Sequence, residues 1–159
     1  MKTQGLATYL NDHLAGSVAA LELLEHLATL VPPAERELLI EVETEVREDQ
    51  RLLRELLEGL GKKESPMRKA AAWLTEKLGE VKLKIDDPGD GELRVLEALE
   101  ALGLGIQGKL ALWRALRTIS ATDSRLRAVD LAGLERRALD QFERVDRLRL
   151  QFARTALTR

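Results

Sequence analysis

Four segments of this chain place their core-type residues at alternating steps of three and four, which restricts it to long amphipathic helices packed side by side. In residues 6–31 the stripe is Leu10, Leu14, Ser17, Leu21, Leu24 and Ala28. In 34–59 it is Leu39, Val42, Val46, Asp49, Leu53 and Leu56, with Leu60 just beyond. Residues 92–119 carry Leu96, Leu99, Gly103, Ile106, Leu110 and Trp113. Residues 123–156 carry Leu131, Leu134, Ala138, Gln141, Val145, Leu148 and Phe152. Three of these places, Ser17, Asp49 and Gln141, hold a polar residue where leucine is the default.

Local punctuation orders the helices. Pro32 and Pro33 make a short corner, since proline is accepted in a first helical turn and rejected in an interior. The stretch "EGLGKK" closes the second helix with glycines suited to a left-handed cap. Ser65 and Pro66 read as cap and first residue of a shorter helix, 66–83, carrying Trp73, Leu74, Leu78 and Val81. Lys82–Ile85 fits either the end of that helix or a strand. Thr122 or Asp123 is placed to cap the last helix. The layout is all-α: two antiparallel helical hairpins joined by a long crossover with a short extra helix, all in one domain, 1–159.

Length and charge bound the rest. A chain of 159 residues supports one real core, and 3% aromatics with a third of the residues charged is the balance of a helical bundle. A formal charge of −2 argues for neither nucleic acid nor an anionic membrane as partner. The absence of cysteine removes disulfides and thiolate metal sites. No apolar run has the length of a signal core or a membrane span, so the expected location is cytoplasmic. Acidic residues crowd the second helix and arginines the last, predicting complementary faces within the fold or between subunits.

Gly103, Gly105 and Gly108 spell G-x-G-x-x-G with Lys109 following, the written form of a dinucleotide loop. The preceding "GELRVLEALEAL" has helical spacing and too many glutamates for the buried strand such a loop requires. Gly105 and Gly108 instead fall into a second helical stripe with Ala101, Leu112 and Ala115, whose small residues permit close approach of the crossover or of a second chain. A homo-oligomer through the Gly105/Gly108 face is the partner this predicts. "DDPGDGELRVLE" imitates a calcium loop at Asp86, Asp90, Gly91 and Glu97, but Pro88 and Arg94 stand where ligands belong. His13, Ser17 and Asp49 supply the residue types of a nucleophilic triad without a strained nucleophile turn or an oxyanion hole.

In helix order, hairpin pairing and crossover the chain resembles the ferritin-like superfamily. The resemblance implies a di-metal site built from one Glu on each of two helices and a Glu-x-x-His on each of the other two. Here Ser17 and Gln107 stand at the single-glutamate places, and Val46-x-x-Asp49 and Ala138-x-x-Gln141 at the paired ones. The ligand set is therefore degenerate. The expected site is a polar cluster of Ser17, Glu45, Asp49, Gln107 and Gln141, with His13 one turn from Ser17, and no cofactor. The corresponding function is a non-enzymatic binding or assembly protein, in which Asp49→Leu leaves the protein folded, and more stable where the cluster is imperfectly satisfied. The alternative is a di-metal oxidase or metal-handling protein holding iron or manganese on Asp49 and Glu45, with help from Gln107 or Gln141.

Overall fold

Proline, glycine and two capping aspartates set the helix ends. The computed structural model describes residues 2–64, 76 and 91–158. The helix expected at 66–83, the choice at Lys82–Ile85 and the start of the calcium-like loop at 86–90 lie outside the described residues. Helix α1 spans Lys2–Leu30, starting earlier than the apolar stripe indicates. Helix α2, Pro33–Gly59, follows directly, with Pro33 in the first turn where its missing N–H has no helical partner to lose. Gly61, at φ 66, ends it in a Schellman cap. The Gly61 N–H donates to the Glu58 carbonyl at 2.8 Å and the Lys62 N–H to that of Leu57 at 3.1 Å.

Helix α3 spans Gly91–Ile119 and α4 spans Leu131–Ala156. The expected start of the last helix at 123 is corrected. Asp123 caps a single 3₁₀ turn, Ser124–Leu126, which buries Leu126. A second aspartate, Asp130, heads α4 and accepts the Gly133 N–H at 2.9 Å. Both aspartates are competent caps, and the second stands directly ahead of the uninterrupted stripe beginning at Leu131.

Among the described residues the architecture is a four-helix bundle without strands. Its core divides into two clusters. One gathers Leu24, Leu27, Val31, Leu39, Val42, Val95, Leu99 and Leu148. The other gathers Leu10, Leu14, Leu53, Leu57, Trp113, Leu116, Leu126 and Leu131. The first cluster therefore holds the α1–α2 corner and the start of α3, and the second holds the end of α2 and the α3–α4 corner. Each helix is antiparallel to its hairpin partner, and α1 is antiparallel to α3 as α2 is to α4. The chain leaves α2 at one end of the bundle and begins α3 at the other. No helix among the described residues is long and apolar enough to cross a membrane.

Candidate functional site: a polar belt and the cleft beside it

Between the two apolar clusters each helix contributes one polar residue at the same level. Ser17 lies between Leu14 and Leu21, Asp49 between Val46 and Leu53, Lys109 between Ile106 and Leu112, and Gln141 between Ala138 and Val145. Asp49 and Gln141 are buried, Gln141 completely. Such groups lose water on folding and must find partners within the protein. The belt supplies them.

Both oxygens of Asp49 are held by cations. Lys109 Nζ lies 2.8 Å from Oδ2. The Arg137 guanidinium donates to Oδ1 and, through its other terminal nitrogen, to Glu48 at 2.8 Å. Lys109 also donates to the side-chain oxygen of Gln141. The Gln141 amide nitrogen donates in turn to Glu45 Oε2 at 2.7 Å, a carboxylate also bound by Arg144 at 2.7 and 2.9 Å. The acid-rich face of α2 and the arginines of α4 therefore pair within the fold. At the edge of the belt Ser17 donates to the Leu14 carbonyl at 2.6 Å and accepts from Gln50 Nε2 at 2.9 Å. It meets Gln50 rather than Asp49.

Two expected members stand elsewhere. Gln107 is exposed, on the outer α3–α4 groove with Leu99, Phe142 and Arg149. The inward residue is Lys109, because the stripe that α3 buries runs Val95, Leu99, Leu102, Ile106, Lys109, Trp113 and Leu116, displaced from the one that includes Leu110. On that stripe Lys109 is the lone charge, and this is the sequence signal that identifies it. Arg137 and Arg144 flank Gln141 at i−4 and i+3, on one helix face with it. His13 faces the space between α1 and α3, its ring edge-on to Tyr9 with centroids 4.7 Å apart. Burial lowers the His13 pKa below the ordinary 6.5, against the raising effect of Asp12.

The donor set does not fit a di-metal centre. Among the described residues no three His, Asp or Glu side chains converge closely enough to hold a metal ion. Asp49, the one deeply buried carboxylate among the described residues, already faces two cations. Two unit charges about 4 Å apart repel by about 4 kcal/mol at an effective dielectric constant of about 20, and a dication doubles this. A metal at Asp49 must therefore displace Lys109 and Arg137, leaving the lysine without its carboxylate partner.

Beside the belt a cleft of about 370 Å³ opens between α1 and α3. Its walls are mainly apolar, with Ala20, Leu53, Leu102 and Leu112 among them, and Asp49 and Lys109 also line it. Gly16, Gly105 and Gly108 give it width. A Cβ built on Gly105 or Gly108 meets nothing within 4 Å. Among the described residues nothing packs against Gly105 and Gly108, and the crossover expected to approach them lies outside those residues. Leu104, 69% exposed, stands at the edge. No family model, curated protein or solved structure matches the chain. Fold and site define an all-α four-helix bundle whose middle is closed by a lysine-centred ion-pair network next to an apolar cleft.

Proposed function

We propose that this chain is a non-enzymatic, cytoplasmic binding protein of ferritin-like build, in which the ion-pair belt stands in place of a di-metal site and the α1–α3 cleft receives the ligand. The up-down-down-up course of the helices, with α3 starting at the end opposite to that where α2 stops, supports the ferritin-like comparison. The observation that carries the functional reading is the occupation of both Asp49 oxygens by Lys109 and Arg137. It removes the carboxylate on which an altered metal site must rest, while leaving a cleft in the size range of small-molecule sites immediately beside it.

Elemental analysis tests this on untagged protein from cells grown with added iron, manganese and zinc. The expected result is metal far below one atom per chain, unchanged in Asp49→Asn. Near-stoichiometric iron or manganese that disappears in Asp49→Asn supports the di-metal alternative and overturns the reading.

A further inference from the structure

The cleft is polar at two places, Asp49 and Lys109 at the belt and Tyr9, Asp12 and His13 farther along, and the lysine specifies the ligand's head group. Lys109 carries three N–H donors. Two are accounted for, by Asp49 at 2.8 Å and by Gln141. Lys109 lines the cleft, and its ammonium has one donor beyond these two. The other polar groups along the wall offer less. Asp49 already accepts from two cations, and Ser17 spends its proton on the Leu14 carbonyl. Asp12 and His13 lie about one helical turn before Ser17, toward the Tyr9 end of the cleft. Around Asp49 the charges form a chain in which Arg137 bridges Asp49 and Glu48, Lys109 meets Asp49, and Glu45 holds Arg144.

From this arrangement we infer that the cleft binds an apolar monocarboxylate, chain inward along the Gly105 and Gly108 wall and carboxylate on the third N–H of Lys109. The inference rests on the cleft being the binding site of the preceding reading. Burial pushes the Lys109 pKa below the ordinary 10.5, with Asp49 opposing and Arg137 adding to the depression. At roughly 30 Å³ for each water-sized unit, the cleft holds on the order of a dozen heavy atoms, the size of decanoate.

The experiment is calorimetric titration of the full chain with decanoate and, separately, with decanol, which has the same carbon chain without the charge. Decanoate is expected to bind saturably, one per chain, and at least tenfold more tightly than decanol, the gain of a hydrogen bond between charged groups. Lys109→Met should bring the two affinities together. Gly105→Leu, whose side chain points into the open space, should abolish both while leaving the helical circular dichroism intact. If Lys109→Met fails to fold, the comparison of the two ligands on the native chain still decides the point. Absence of saturable decanoate binding overturns the inference, as does unaltered binding to Gly105→Leu. Equal affinities for decanoate and decanol, both lost in Gly105→Leu, overturn the carboxylate assignment but leave the cleft as a binding site. Light scattering covers the other occupant: a stable dimer that Gly105→Leu disperses seats a second copy in the cleft and overturns the ligand.

Discussion

Lys109 sits where helix α3 crosses the middle of the bundle, and its chemistry is a contest between burial and charge. Removal from water disfavours the ammonium and lowers its pKa below 10.5, and Asp49 reverses only part of this. A base whose folded pKa is depressed binds fewer protons in the folded chain than in the unfolded one between that lowered value and 10.5. Folding stability therefore rises with pH across that interval. Urea unfolding of the native chain and of Lys109→Met, followed from pH 8 upward, isolates the effect, since the two chains differ at this position alone. The gap in stability, native minus variant, is expected to grow as pH climbs toward 10.5, and a flat or shrinking gap removes Lys109 as the depressed base. Half of this centre is readable from sequence. Asp49 and Gln141 interrupt apolar stripes and so announce themselves, whereas Lys109 hides one position from Leu110. Choosing between the two registers of α3 requires knowing which face α1 and α4 cover. The misplacement of Gln107 has the same origin, because it too depends on which face of α3 is buried.

At the scale of single helices, α3 and α4 use glycine in opposite ways. The corners at Pro32 and Gly61 follow from residue chemistry alone and fall where the sequence places them. The region before α4 contains two good caps, so propensity does not rank them, and only the burial of Leu126 and Leu131 separates a single turn from the long helix. Among the described residues, Gly105 and Gly108 of α3 touch nothing that a methyl group displaces. Alanine at either place is expected to stabilise by about 0.5–1 kcal/mol, the ordinary preference of a helix interior. In α4 a Cβ on Gly133 falls 2.2 Å from the Asp130 carboxylate, the group that caps the helix through the Gly133 N–H. Gly133→Ala must therefore turn that carboxylate away, and loss of a cap costs about 1 kcal/mol, more than offsetting the helix preference. Thermal unfolding of the two variants in parallel checks the sign. A destabilised Gly105→Ala means that something packs on the stripe, and a stabilised Gly133→Ala means that the cap contributes nothing.

For the whole molecule the belt divides one long core into two, and this alters what removal of Asp49 does. Read from sequence, a lone buried aspartate is a liability whose replacement by leucine is tolerated and can stabilise. In the folded bundle the same carboxylate neutralises Lys109 and shares Arg137 with Glu48, so Asp49→Leu leaves the buried Lys109 ammonium without its carboxylate partner. Breaking one side of a buried ion pair costs on the order of 3–5 kcal/mol, whereas replacing the whole pair by apolar residues is commonly neutral or stabilising by about 1–4 kcal/mol. The triple variant Asp49→Leu, Lys109→Met, Gln141→Met removes one negative and one positive charge together. It leaves Arg137 on Glu48 and Arg144 on Glu45, both nearer solvent, and joins the Leu14 and Leu24 ends of the core into one apolar seam. The single variant is expected to melt lower by roughly 10 °C, taking about 2–4 °C per kcal/mol for a chain of this size. The triple variant is expected to melt at or above the native chain. Should it melt below the single variant, the belt contributes net stability and its polar character follows from folding energetics alone. Recovery of stability together with loss of decanoate binding instead means that these residues serve the cleft at the expense of the core, as the strained or imperfectly packed parts of binding sites do.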